Sequence, residues 1–335
     1  MGKIAFVFPG QGAQYVGMGK EIAQEYKSAN DIFETATKVL GFDIKKMIFE
    51  GDDETLKITE NTQPTIVTTS VACMQPLLDK GIKPDYVAGL SLGEYSAHVA
   101  AGTMSFSDAV ALVKKRGKYM QEAVPVGVGA MSAIINLSNE DVIECCKEAS
   151  VVGVVEPANF NCPGQLAIAG EVAAVEKANE LAKAKGAKRA MMLPVSAPFH
   201  CSLLKPAGEK LAEELGKVTL NDIQIPVVTN VTAEPITDKN SVKDLLIKQV
   251  STSVLWENCI RTMLANGVDT FIEIGPGKVL SGFIKKIDKE AKTLNVENLE
   301  SLNNTLSELQ ALKFLFFEVI AIRKYTSGTL LIIFF

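Results

Sequence analysis

Histidine is nearly missing from this 335-residue chain. There are two, with one tryptophan and six cysteines. No Cys-x-x-Cys pair occurs among Cys73, Cys145, Cys146, Cys162, Cys201 and Cys259. The Cys/His tetrad of a structural zinc site is therefore lacking, and no metal is expected. Scattered thiols fit a reducing compartment, so a cytoplasmic location is expected. The first apolar run, Ile4-Ala5-Phe6-Val7-Phe8, stops at Pro9-Gly10 and is too short for a signal-peptide core. Excess charge of one sign is also lacking. Lys+Arg is 34 against 39 Asp+Glu, a net −5, which argues against broad binding to nucleic acid. Long hydrophobic runs are scarce. Even in the apolar tail at 312–335 the longest charge-free stretch is residues 325–335, 11 positions, where a membrane helix needs ~20. That tail reads as an atypical hydrophobic extension, and no membrane partner is expected.

What is present is ordinary for a globular chain: 47% hydrophobic and 22% charged residues, with enough length for one large domain or two moderate ones. Strand candidates at 3–8, 85–89, 225–230 and 270–274 are punctuated by Gly and Pro and separated by helical stretches. That alternation predicts an α/β fold, hydrolase-like, with a mainly parallel sheet covered by helices on both faces. The middle of the chain reads differently. Strands at 129–137, 153–159, 165–169 and 188–195 and helices at 139–148 and 171–185 give the order β-α-β-β-α-β of a ferredoxin-like unit. Asn161-Cys162-Pro163-Gly164 is the turn between its middle strands, and Ser138 is a helix N-cap. The expected organisation is a discontinuous large α/β domain (1–125 and 196–311), a ferredoxin-like insert (126–195), and the tail (312–335).

The strongest chemical signal is Gly89-Leu90-Ser91-Leu92-Gly93, which has the form of a nucleophile elbow between a strand and a helix. A sharp turn projects the Ser91 hydroxyl, the flanking glycines permit close packing, and the Leu92 backbone N–H faces a developing oxyanion. A serine nucleophile needs a base. His98 lies seven residues further along the same helix, about 10 Å at 1.5 Å per residue, and reads as a packed or surface histidine. His200 is left by elimination, in Ser196-Ala197-Pro198-Phe199-His200 at the join between the two parts of the chain. Cys201 reads as structural. Gly10-Gln11-Gly12-Ala13-Gln14 is a ligand loop at a strand end, without the spacing or the lysine of a phosphate-binding loop. Arg116 lies in Lys114-Lys115-Arg116-Gly117-Lys118, which taken alone reads as a solvated basic face.

Taken together, Gly10 to Gln14, the stretch GLSLGEYSAHVAAG around Ser91, KKRGKYMQEAVP, NFNCPGQLAIAG and SAPFH resemble the malonyl-CoA:acyl carrier protein transacylase family of acyltransferases over roughly residues 1–305. The resemblance implies that Ser91 is acylated and that His200 is its general base. It implies that the Gln11 backbone N–H joins that of Leu92 as an oxyanion donor. It reverses the reading of Arg116, which would hold the malonyl carboxylate in a bidentate fork. Gln249 would orient His200 through its backbone carbonyl, in place of an aspartate. Asn161 and Phe199 would line the pocket, the ring of Phe199 leaving little space for an α-methyl group. Leu90 departs from the family, where histidine is frequent.

The implied activity is ping-pong transfer of malonyl from malonyl-CoA to the phosphopantetheine thiol of acyl carrier protein, in fatty acid biosynthesis. It needs no cofactor and suits a monomer. Acyl carrier protein is typically acidic, so a basic rim is expected at Lys183, Lys185, Lys188 and Arg189 or at Lys285 and Lys286. The alternative is a serine esterase or thioesterase. Its histidine ordinarily comes late in the chain, after an acidic triad member. A Ser–Asp lipase has its aspartate before glycine, and no Asp-Gly occurs here.

Overall fold

Residues 3–8 are apolar at every position after Lys3, and the reason is that the strand they form is covered on both faces. In the computed structural model, which describes residues 2–195 and 197–311, Phe6 and Phe8 pack into one core and Ala5 and Val7 into another. The ten strands are β1 (Lys3–Phe8), β2 (Tyr86–Gly89), β3 (Gly129–Ile135), β4 (Val155–Cys162), β5 (Gln165–Glu171), β6 (Arg189–Met192), β7 (Val227–Val228), β8 (Pro235–Ile236), β9 (Val268–Ile274) and β10 (Lys292–Val296). Six form a sheet in the order β10-β9-β1-β2-β7-β8, parallel except for the terminal β7–β8 pair. β1 lies at its middle and β2 beside it. Sheet alternation places Val87, Val227 and Ile272 with Phe6, and Ala88, Val228 and Phe271 with Val7. The fold is thus α/β with a parallel-rich sheet, as the strand and helix alternation predicts.

The other four strands form a separate antiparallel sheet, β4-β5-β3-β6. It has its own core, in which Ile134, Leu166 and Ile168 meet Val142 and Val175 from the helices Asn139–Ala149 and Val172–Ala184. Ser138 caps the first of these helices by accepting from the Asp141 N–H. The β4–β5 hairpin is tighter than the sequence suggests. Asn161 and Cys162 stay in the strand, and the turn is Pro163-Gly164 alone, with Gly164 at φ 73 where a type II turn needs glycine.

One strand candidate differs from expectation, and three elements went unread in the sequence. The strand candidate at 225–230 contracts to two residues, because β7 parts from β2 just where the elbow begins. β8 and β10 carry no clear sequence signal. The helix Thr59–Asp79 is buried along most of its length, and its threonines turn their hydroxyls back onto the chain: Thr62 to Leu56 O, Thr65 to Thr62 O, Thr69 to Thr65 O. A helix with no solvated face shows no amphipathic period. The tail 312–335 lies outside the described residues. Among the described residues no helix is long and apolar enough to cross a membrane.

The elbow glycines have a steric explanation. The helix Gly93–Ala100 starts directly over the ends of β1 and β2. A Cβ on Gly89 would lie 1.9 Å from the Gly93 carbonyl carbon, and one on Gly93 would lie 2.1 Å from the Phe8 carbonyl oxygen. Backbone on backbone leaves neither side room to yield. Gly93→Ala should therefore destabilise the protein by about 1–3 kcal/mol, the cost of overpacking, read as a lowered urea midpoint at unchanged slope.

Candidate active site

The crevice beyond the carboxyl ends of β1 and β2 is roofed by the antiparallel sheet and encloses a cavity of about 270 Å³. Gln11, Ser91, Leu92, Arg116, Phe199 and His200 all line it, and Asn161 stands on its wall from β4. Open α/β sheets bind ligands at this end because the loops there are free of the sheet.

Ser91 sits in the turn between β2 and its helix with φ 52. A left-handed serine costs of order 1–3 kcal/mol and persists only where its surroundings hold it. Its Oγ is 2.6 Å from His200 Nε2. His200 is also left-handed, at φ 63, and its Nδ1 is 2.8 Å from the backbone oxygen of Gln249 at the end of the helix Val242–Val250. A carbonyl oxygen only accepts, so Nδ1 carries the proton and Nε2 presents its lone pair to the serine hydroxyl. Burial first, and the Arg116 charge second, pull the His200 pKa down from 6.5 to about 3, against the opposing pull of the Gln249 carbonyl. The imidazole is therefore neutral at pH 7.

Arg116 comes from the helix Phe106–Glu122 and is 2% exposed. Its Nη1 donates to Gln63 Oε1 at 2.9 Å, and its Nη2 donates to Gln249 Oε1 at 3.0 Å and to Ser91 Oγ at 3.1 Å. The Tyr95 ring centroid is 5.5 Å from Cζ. Among the described residues no carboxylate lies within ion-pair distance of it. Burial lowers its pKa, partly offset by Tyr95 and Glu94. Its neighbours in the basic run behave as a solvated face: Lys114, Lys115 and Lys118 pair with Glu60, Glu214 and Glu122. Arg116 alone turns inward. A desolvated guanidinium with only neutral partners is a receptor for an anion.

Gln11 and Leu92 both face the cavity, and among the described residues neither backbone N–H meets an acceptor. Phe199, 7% exposed, closes one side. His98 is fully buried, with neither ring nitrogen paired among the described residues, and burial lowers its pKa to about 4. It is a packed histidine. Cys201 Sγ contacts Pro198 O, and burial pushes the thiol up to about 12, so it is no thiolate nucleophile. Of the basic candidates, Lys185 is tied to Glu144 and Glu148, while Lys286 sits one turn beyond Phe283 on the cavity wall.

Sequence reasoning missed Gln63, Glu94 and Asn230. Gln63 lies on the helix Thr59–Asp79, which has no period to read. Glu94 is fully buried beneath the elbow and accepts from the Asn230 N–H and from Gln249 Nε2 through one oxygen. Burial raises its pKa to about 7, against hydrogen bonds from Asn230 and Gln249 and the Arg116 charge.

A family model described as acyl transferase domain matches residues 5–321, about sixteen positions past the point where the resemblance read from motifs stops. The malonyl CoA-acyl carrier protein transacylase of Bacillus subtilis is 48% identical over 92% of this chain and 98% of its own length. The crystal structure of the Clostridium perfringens enzyme of that name superposes with a TM-score of 0.91 at 48% identity, over 93% of this chain and 99% of that one. A malonyl-transacylase in complex with a type II PKS acyl-carrier protein superposes with a TM-score of 0.89 at 42% identity, over 91% of this chain and 99% of that one. A buried serine–imidazole pair beside an unneutralised guanidinium, on a fold shared at this identity, places the chain in the acyl transferase domain family, among the malonyl CoA-acyl carrier protein transacylases.

Proposed function

We infer that this chain transfers malonyl from malonyl-CoA to the phosphopantetheine thiol of acyl carrier protein through a malonyl ester of Ser91, in fatty acid biosynthesis. The observation that carries this reading is Arg116 Nη2 at 3.1 Å from the hydroxyl of a serine that is itself 2.6 Å from a neutral imidazole. The relatives are transacylases rather than esterases, which favours transfer to a thiol over transfer to water.

In the first half-reaction the Ser91 proton passes to His200 Nε2 as Oγ attacks the thioester carbon. The oxyanion receives the N–H groups of Gln11 and Leu92. Collapse breaks the C–S bond, and the imidazolium returns its proton to the departing CoA sulfur. The Gln249 carbonyl, bound to Nδ1–H, steadies the imidazolium while it lasts. In the second half-reaction the phosphopantetheine thiol gives its proton to His200, its sulfur attacks the ester, and Ser91 Oγ leaves with that proton. Throughout, the malonyl carboxylate lies on Arg116. Each guanidinium nitrogen of the Nη1–Nη2 edge has a proton for it once Ser91 Oγ gives up its contact. Asn161 and Phe199 shape the acyl pocket. The strand order β4-β5-β3-β6 and its β-α-β-β-α-β connection support a ferredoxin-like insert at 126–195 in a hydrolase-like α/β domain. The acyl carrier protein surface includes Lys285 and Lys286, on the helix that supplies Phe283 to the cavity.

Incubation with malonyl-CoA alone should add one malonyl group to the intact protein, and Ser91→Ala should remove the adduct. Intact-mass spectrometry reads both, and an adduct that survives would move the nucleophile elsewhere. Addition of holo acyl carrier protein should discharge the adduct onto the carrier rather than release free malonate.

Arg116→Ala removes two charge-assisted hydrogen bonds of about 1.5–3 kcal/mol each. The kcat/KM for malonyl-CoA should fall about 10²–10⁴-fold while that for acetyl-CoA changes little. An unaltered ratio of the two substrates refutes the carboxylate clamp.

The pH dependence follows from His200. Protonation abolishes its capacity to accept the serine proton, so kcat/KM falls as pH drops through the free-protein pKa. Because that value is about 3 rather than 6.5, His200 should give the malonyl-CoA profile no acid limb from pH 8 down to about 5, and a change near 7 in this range belongs to Glu94 and should disappear in Glu94→Gln. An acid limb centred near 6.5 that persists in Glu94→Gln contradicts the burial argument.

A further inference from the structure

The point where β2 and β7 part company has an unusual repair. The two strands pair in parallel through Val87–Val227 and Ala88–Val228, and then β2 turns into the elbow. In a parallel ladder, a residue facing Leu90 would accept from the Ser91 N–H and donate to the Gly89 carbonyl. No strand residue does so. The carboxamide of Asn230 takes both places instead: Oδ1 accepts from the Ser91 N–H at 2.6 Å, and Nδ2 donates to Gly89 O at 2.8 Å. The chemistry of the two backbone groups fixes which way the amide points, since one only donates and the other only accepts. The side chain imitates a peptide unit.

Asn230 is itself held. It is fully buried, its N–H donates to Glu94 Oε2 at 2.9 Å, and its carbonyl accepts from the Leu255 N–H at 2.9 Å. Gln249 Nε2 completes the clamp by donating to Ser91 O at 3.0 Å and to the same Glu94 oxygen at 2.9 Å. The N–H of a left-handed serine is thus gripped by a side chain alone, while its carbonyl is shared between the Gln249 amide and the Glu94 N–H at 3.1 Å. We propose that Asn230 is a positioning residue for the nucleophile: its carboxamide holds Ser91 in the left-handed conformation that aims Oγ at His200 Nε2. The inference rests on the reading of Ser91 as the acylated residue.

The test is single-turnover acylation by malonyl-CoA, followed by intact mass, in the full-length protein. Asn230→Ala leaves the Ser91 N–H and Gly89 carbonyl unpaired. The acylation rate at saturation should fall about 100-fold, the scale of an ångström-sized misplacement of a reacting group. The half-saturating malonyl-CoA concentration should stay within about threefold, since Arg116 is untouched. Asn230→Asp gives a sharper readout. Ionised, the new carboxylate repels Gly89 O; protonated, its O–H restores the lost donor. It would face the Glu94 carboxylate and the Cys259 thiol, with Arg116 beyond Gln249, and burial beside Glu94 favours its neutral form. Its acylation rate relative to wild type at the same pH should therefore rise as pH is lowered from 8 to 5.5, the ratio cancelling the titration of Glu94 that both proteins share. A contact that merely supports the fold does not generate that rise. Wild-type acylation of Asn230→Ala, or no rise for Asn230→Asp, overturns the proposal. So does failure of both variants to fold, because the amide then serves the fold rather than the nucleophile; if the alanine variant alone fails, the aspartate variant decides. Absence of an adduct on the wild-type protein would instead overturn the reading of Ser91.

Discussion

A guanidinium buried without a carboxylate beside it is the constraint from which the rest of the site follows. Taking Arg116 out of water costs several kcal/mol even after relaxation. Amide oxygens of Gln63 and Gln249, the Ser91 hydroxyl and the Tyr95 ring offset only part of that. Glu94 contributes at longer range through the Gln249 amide, which accepts from Arg116 on one side and donates to Glu94 on the other. In the proposed function, the part left without an offset is what selects an acyl group ending in a carboxylate. A hydrocarbon-ended acyl chain would fill the same space and leave the charge as it was.

The chain assembles this arrangement from four distant segments. Ser91 comes from a strand end, Arg116 from the next helix but one, His200 from the irregular stretch after the antiparallel sheet, and Gln249 from a helix end. Two of the four, Ser91 and His200, sit in left-handed backbone. Regular structure therefore delivers the segments, but polar side chains set the final angles. The anchoring of β4 contributes here. Glu156 accepts from both the N–H and the hydroxyl of Ser202, two positions after His200, and Val254, shortly after Gln249, exchanges backbone hydrogen bonds with Ala158 and Phe160. One strand of the small sheet thus holds the segments of His200 and of the Gln249 carbonyl, which ties the two sheets together beside the cavity.

What was legible in the sequence follows a physical rule. β1 could be read because both its faces are buried, and the elbow because its glycines answer a steric demand that leaves no substitute. The helices Asn139–Ala149 and Val172–Ala184 could be read because each has one wet face. Thr59–Asp79 could not, because burial on nearly every side erases the period, and Gln63 was lost with it. Arg116 was hidden for the opposite reason: the charges flanking it are solvated, and composition cannot show that the middle member points inward. Only the resemblance to a family recovered it. Asn230 lies in no motif, and Glu94, although inside the stretch around Ser91, has nothing in its spacing to mark a role. Their roles depend on β7 ending two residues after it begins, a tertiary event that local sequence does not encode.

In the proposed mechanism, the charge that selects the substrate also limits the base. A general base works best with a pKa near the working pH, and His200 in the free protein lies far below it, at about 3. Burial is the larger cause and persists in the complex, but the Arg116 charge is the second. A carboxylate seated on Arg116 cancels that contribution. It also replaces Ser91 Oγ as the acceptor of Nη2, which frees the oxygen lone pair for attack. Binding of the correct acyl group therefore raises the basicity of the imidazole and releases the nucleophile in one step, whereas a carboxylate-free acyl group does neither. Discrimination on this account is expressed in the chemical step as well as in binding, which is the form in which binding energy accelerates a reaction rather than merely tightening a complex.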